Sequence, residues 1–160
     1  MKHSIRPYHP DDIDSILKLF WETVHAINRK HYSPAQLNAW APQALNREKW
    51  ASGLEANFTF VCHQEGTITG FADIDNTGYF DHLFVHKDFQ RQGIATMLAN
   101  AIESDAVANS FSRVTVAAWL TAKPFFKKRG YIVLKEQQIE RNGEVLTNFL
   151  MELAIQIPDS

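Results

Sequence analysis

The sequence predicts an α+β fold, one β-sheet with amphipathic helices packed against it. Three observations carry the prediction. Apolar residues recur at helical spacing at Ile13, Ile16, Leu17, Phe20, Val24 and Ile27, and again at Ile94, Met97, Leu98, Ala101, Ile102 and Ala106. Short β-branched and aromatic runs, such as residues 58–63, 67–74 and 113–119, are bounded by turn residues. Between Gly78 and Trp119 a strand, a glycine turn, a long helix and a second strand follow one another. The right-handed crossover rule makes those two strands parallel neighbours.

The elements follow in order. Residues 3–7 read as a first strand, and Pro10-Asp11-Asp12 as a helix start capped by aspartate. Tyr32-Ser33-Pro34 ends the first helix. Ser33 caps a second, short helix with Pro34 at its first position, carrying Leu37 and Trp40 and ending at Pro42. Residues 46–54, with Trp50, form another helical piece, and two strands then meet through Gln64-Glu65-Gly66. Residues 78–85 are the next strand, followed by the glycine turn, the long helix and strand 113–119. Residues 124–129 make a short helix closed by Gly130, and 131–136 and 146–155 are final strands joined through Arg141-Asn142-Gly143-Glu144. No repeat or linker interrupts the chain, so one domain over residues 1–160 is expected.

Composition narrows the function classes. A net charge of −2 lacks the basic excess of a nucleic-acid binder, so no nucleic-acid partner is expected. There is no apolar run of the roughly 20 residues that a membrane span needs, and Met1-Lys2-His3-Ser4-Ile5-Arg6 lacks a signal-peptide core. Cys62 is the single cysteine, which rules out an internal disulfide framework and makes the cytoplasm the expected location. Lys123, Lys127, Lys128 and Arg129 form a local basic cluster suited to a phosphate-bearing partner.

The most specific stretch is Val85-His86-Lys87-Asp88-Phe89-Gln90-Arg91-Gln92-Gly93-Ile94-Ala95. An apolar strand ends at Val85, a polar turn follows, and residues 90–95 open the long helix. Amides at a helix N-terminus have no intrahelical partner, and the helix dipole places partial positive charge there. Gly93 lets the main chain approach an anion closely, and Arg91 and Lys87 add charge nearby. By itself this is an anion site or an ordinary β-turn-α connection.

Residues 90–95 match the Q/R-x-x-G-x-G/A signature of the GNAT superfamily of acetyl-CoA-dependent N-acyltransferases, and Val85 stands where the preceding strand of that family ends. The family's usual proline is replaced by Lys87 or His86. Downstream, Ala122-Lys123-Pro124-Phe125-Phe126-Lys127-Lys128-Arg129-Gly130-Tyr131 resembles the A-x-x-F-Y-x-x-x-G-F block that closes the cofactor site. Together the motifs cover about a third of the chain. The resemblance implies a three-layer fold with a mixed, twisted central sheet and helices on both faces, acetyl-CoA as co-substrate, and no metal. It also implies that the strands before and after the long helix splay apart, with the pantetheine arm between them bonding the backbone near Leu83, Phe84 and Val85. The diphosphate would then lie against Gln90, Arg91, Gln92, Gly93, Ile94, Ala95 and Thr96. Trp119, Phe125, Phe126 and Lys128 would complete the cofactor side.

Acetyl transfer to an amine requires a positioned thioester, a polarised carbonyl and a base. Asp81 and His82 lie on the strand where these enzymes often carry the base, and strict alternation puts them on opposite faces. The residue matching the family's usual tyrosine acid is Phe126, which has no proton to give, so Tyr131 is the remaining hydroxyl candidate. A thiol of pKa about 8.5 can also take its proton from water. Trp119 stands where the family often has asparagine, which puts a cofactor contact in doubt and narrows the acceptor pocket. His82 and His86 are about 13 Å apart along a strand, too far to share one metal ion. His25, Tyr32 and Trp40, with Trp50, give the acceptor side an aromatic and imidazole bias suited to a flat or apolar amine or a peptide end, or else simply pack short helices onto the sheet.

The sequence thus reads as an N-acetyltransferase that passes acetyl directly to a primary amine of a small molecule or peptide, with no covalent enzyme intermediate. Two rivals follow from it. One is a non-catalytic acyl-CoA sensor; the other is a toxin-type acetyltransferase acting on aminoacyl-tRNA, which the acidic charge disfavours. Exposed sheet edges would suit a homodimer.

Overall fold

The computed structural model describes residues 2–155. Strands β1 (Ser4–Pro7), β2 (Phe58–Gln64), β3 (Thr67–Ile74), β4 (Tyr79–Val85), β5 (Arg113–Trp119), β6 (Ile132–Arg141) and β7 (Glu144–Ala154) build a sheet in the order β1-β2-β3-β4-β5-β7-β6. The β4–β5 pair is parallel and the other pairs are antiparallel, so the sheet is mixed. Helices α1 (Ile13–Ile27), α2 (Pro34–Trp40) and α3 (Arg47–Ala56) bury Ile16, Phe20, Leu37 and Leu54 against Phe71 and Phe84 on one face. On the other face, α4 (Ile94–Ala108) and α5 (Lys123–Lys128) bury Leu98, Ile102 and Phe126 against Phe80 and Val116. This is the α+β, three-layer arrangement that the sequence leads one to expect.

Local chemistry explains the boundaries. Ser33 accepts a hydrogen bond from the Gln36 amide, and the Gln36 side chain accepts one from the Ser33 amide, a reciprocal cap that starts α2 at Pro34. The cap before α1 differs from expectation. His9 Nδ1, not an aspartate, accepts from the Asp11 amide, while Asp12 folds back onto the His9 amide and the Arg6 guanidinium. The Arg6 hydrogen bond holds the Asp12 carboxyl below the usual carboxylate range. Strands β6 and β7 extend further than their apolar patterns suggest, up to a two-residue Asn142-Gly143 turn with φ of +47° and +85°. Solvent covers much of β6, and that exposure hides it from a hydrophobicity pattern.

Two features near the centre of the sheet position the site. At Gly70 an added Cβ would lie 2.9 Å from both Ile94 Cγ2 and Leu98 Cδ1, so the missing side chain lets α4 settle directly on β3. Between β3 and β4, Asp73 is opposite His82 but the next β3 residue, Ile74, is opposite Phe80. Asp81 is therefore an extra residue, a β-bulge, and alternation changes phase across it. Phe80 faces the α4 core, while His82 and Phe84 face the α1–α3 side. Without the bulge all three would share one face.

Candidate active site

Past the bulge, β4 and β5 part. Their parallel pairing consists of Tyr79 with Thr115 and Phe80 with Val116. The His86 amide donates to the Thr69 carbonyl at 2.8 Å, so by alternation the main-chain groups of Leu83 and Val85 point away from β3, into the gap. The Val85 carbonyl accepts from Thr23 Oγ1 at 3.1 Å and Gln90 Nε2 at 2.8 Å, which ties α1 and the following turn to the strand end. A cleft of about 250 Å³ occupies the gap.

The turn after β4 is well braced. The Asp88 amide donates to His86 Nδ1, Gln90 Nε2 also reaches the His86 carbonyl, and Gln92 bonds the His3 ring. Arg91 and Gly93 have φ of +62° and +80°, and α4 begins at Ile94. The helix thus starts later than residues 90–95 suggest: Gln90, Arg91, Gln92 and Gly93 belong to the turn. The first helical bond runs from the Met97 amide to the Gly93 carbonyl, so the amides of Ile94, Ala95 and Thr96 lie at the open helix end. The Ile94 side chain is buried in the core, and Arg91, Gln92 and Thr96 are exposed.

Of the residues read from sequence as cofactor contacts, Leu83, Phe84, Val85, Gln90 and Ala95 line the cleft, as do Trp119, Phe125 and Phe126. Lys128 is exposed and lies outside the lining. Phe126 makes edge-to-face contacts with Phe80 and Tyr131. Tyr131 is 2% exposed, and its hydroxyl donates to Glu103 Oε2 at 2.9 Å. Burial and the Glu103 charge push that phenol far above its ordinary pKa. An acid role for Tyr131 does not fit this placement, because its proton is held on the α4 side and it is absent from the cleft lining.

Asp81 and His82 divide between the cleft and the aromatic side, but the bulge leaves them linked in a way that strict alternation does not reveal. Asp81 lines the cleft with a side chain 40% exposed. His82 does not line it; the ring lies over Trp50, with centroids 4.8 Å apart. Its Nδ1 is 2.9 Å from Asp73 Oδ1 and 3.7 Å from Asp81 Oδ2. Asp73 is 1% exposed, and its second oxygen accepts from Asn57 Nδ2. Partial burial raises the Asp81 carboxyl above its ordinary pKa, against the opposing pull of His82.

At the acceptor end only one of the three candidates touches the cleft. Trp40 lines it and lies against Trp119, with centroids 4.6 Å apart. Tyr32 is buried behind them: its hydroxyl donates to the Thr147 carbonyl at 2.6 Å and accepts from the Leu120 amide at 2.9 Å. His25 bonds the Ala41 carbonyl and stacks on Trp21. Both therefore support the wall instead of forming its surface. Sequence reading missed Thr23, Ile27 and Asn28, which line the cleft from the end of α1 and the turn after it. A break in the apolar stripe at Thr23 and a polar residue immediately after Ile27 were the available signals.

Known proteins resemble the whole arrangement. A family model described as an acetyltransferase (GNAT) domain matches residues 28–153. The Escherichia coli (strain K12) protein named uncharacterized N-acetyltransferase YafP is 34% identical over 148 residues, covering 92% of this chain and 93% of its own. A solved GCN5-related N-acetyltransferase, aminotransferase class-II, from Rhodopseudomonas palustris shares 31% identity at a TM-score of 0.92, over 96% of each chain. The PaiA N-acetyltransferase of Thermoplasma acidophilum, solved in complex with coenzyme A, shares the fold at a TM-score of 0.79 and 14% identity, over 96% of this chain and 99% of its own.

Proposed function

The chain belongs to the GNAT acetyltransferase family, and from that premise we propose that it moves acetyl from acetyl-CoA directly to the amine of a flat or apolar small molecule or peptide end. The observation that carries this reading is the continuous cleft, which runs from the turn before α4 to an aromatic wall, with one carboxylate, Asp81, on its lining. Acetyl-CoA supplies the activated thioester. The turn and the open end of α4 suit its diphosphate through backbone amides at residues 90–96, and the gap-facing main chain of Leu83 and the Val85 amide suit its amides.

The acceptor reaches the cleft from the side of Ile27, Asn28 and Trp40. Asp81 accepts a proton from its ammonium, directly or through water. The freed lone pair forms the N–C bond as the C–S bond breaks, the thiolate takes a proton from water, and the second amine proton leaves to solvent. Trp40 and Trp119 give an apolar acceptor contact area and orientation. Cys62, fully buried in the sheet, is no candidate for a covalent relay.

Thiol release from acetyl-CoA, measured across a panel of primary amines, amino acids and peptides, tests the assignment. Amine-dependent release, fastest with apolar acceptors, is the expected result. Tight acetyl-CoA binding without release under any acceptor would instead mark a sensor. That outcome has a structural motive in Phe126, which offers no proton where a hydroxyl is usual.

A further inference from the structure

We propose that His82, held by the buried carboxylate of Asp73, is a positioning residue that presents positive charge to Asp81 and keeps that carboxylate ionised. The proposal rests on the reading of Asp81 as the base.

A carboxylate as buried as Asp73 is costly unless its oxygens are matched by donors. Here one oxygen takes the His82 ring and the other takes Asn57, so the pair fixes both the position of the ring and the tautomer that keeps a proton on Nδ1. Asp73 and His82 are directly opposite across β3 and β4, which makes the contact a consequence of strand register. The bulge then brings the next side chain, Asp81, back to within 3.7 Å of the same nitrogen, although Asp81 faces the cleft. One edge of the ring therefore serves two carboxylates, one buried and one on the reaction side.

Other charges around Asp81 show why such a partner is needed. Partial burial opposes ionisation of Asp81, and so do the charges of Asp73 and Asp75, while His82 and Arg141 favour it. Burial, and after it the Asp81 charge, push the Tyr79 phenol up to about 12, so it stays protonated and adds no charge. Burial on the aromatic bed of Trp50 and Phe71 is the largest influence on the ring and favours a neutral imidazole, but the Asp73 charge and hydrogen bond and the Asp81 charge together raise the His82 pKa. With a neutral ring in place of His82, the charges of Asp73 and Asp75 would act on Asp81 opposed, among the described residues, by Arg141.

The test is a carboxyl NMR titration of Asp81, together with the pH dependence of kcat/KM, in the native protein and in His82→Gln, whose amide can still donate to Asp73. The Asp81 titration is expected to move up by about 1–3 pH units, and the acid limb of the rate profile to move with it. An Asp81 titration identical in both proteins overturns the proposal, even if kcat falls. A displaced titration with an unmoved acid limb upholds the charge coupling and overturns the base assignment beneath it. Should the variant unfold, the native His82 ring decides: an imidazolium at pH 7 supports the proposal, and a neutral ring overturns it.

Discussion

The two ends of the cleft are built by different means. At the turn before α4 the groups offered to a ligand are mostly main chain, and they come from one contiguous stretch, residues 83–96. At the other end they are side chains from segments far apart in sequence: Ile27 and Asn28, Trp40, Asp81 and Trp119. A backbone site needs the right φ angles and an open helix end, which a short motif specifies. A side-chain site needs several elements to converge, and each element is also constrained by packing. The first kind of site tolerates a change of side chains and is sensitive to a change of backbone; the second behaves in the reverse way.

Substitutions can break or sharpen that contrast. The largest effect is expected from Gly93→Asp. No protein atom lies within 4 Å of an added Cβ there, so the loss comes from the φ of +80° and the new negative charge, not from a clash. Calorimetry should show coenzyme A affinity falling by about 100-fold or more. Gly93→Asn, which tolerates the same φ without charge, should lose far less; equal losses would mean that geometry alone governs this end. Next, Asp81→Asn should lower kcat by about 100-fold while acetyl-CoA affinity is kept, and steady-state kinetics with both substrates varied separates the two. The smallest effect is expected from Trp40→Leu, a rise of about 10-fold in the acceptor KM through lost aromatic contact. If the acetyl-CoA KM rose equally, the two ends would not be independent and the contrast would fail.

The same contrast explains what the sequence made legible. The strand–turn–helix passage and the Ala122-to-Tyr131 block were readable because their constraints are local: a glycine at positive φ, a helix start, a short helix closed by Gly130. Helix spacing and turn chemistry likewise located the main elements. Tyr32 and His25 were misplaced as surface contacts because their chemistry, an aromatic hydroxyl and an imidazole, suits a structural tie as well as a pocket. Only the tertiary fold brings Thr147 and Ala41 to them. The link between His82 and Asp73 depends on strand register, which no local pattern encodes. In the sequence Tyr131 is the hydroxyl nearest to Phe126 in the motif, whereas Glu103, which holds that hydroxyl, lies 28 positions away on α4.

The extra residue in β4 has a consequence for how this strand tolerates change in length. Phe80 and His82 already occupy opposite faces, so deleting Asp81 would make them neighbours in simple alternation and leave the other side chains where they are. A one-residue deletion or insertion elsewhere in the strand would instead turn one part of it inside out relative to the other. The residue whose removal the sheet can absorb is thus the one that puts a carboxylate on the cleft. Its place in the strand answers to the cleft, not to packing.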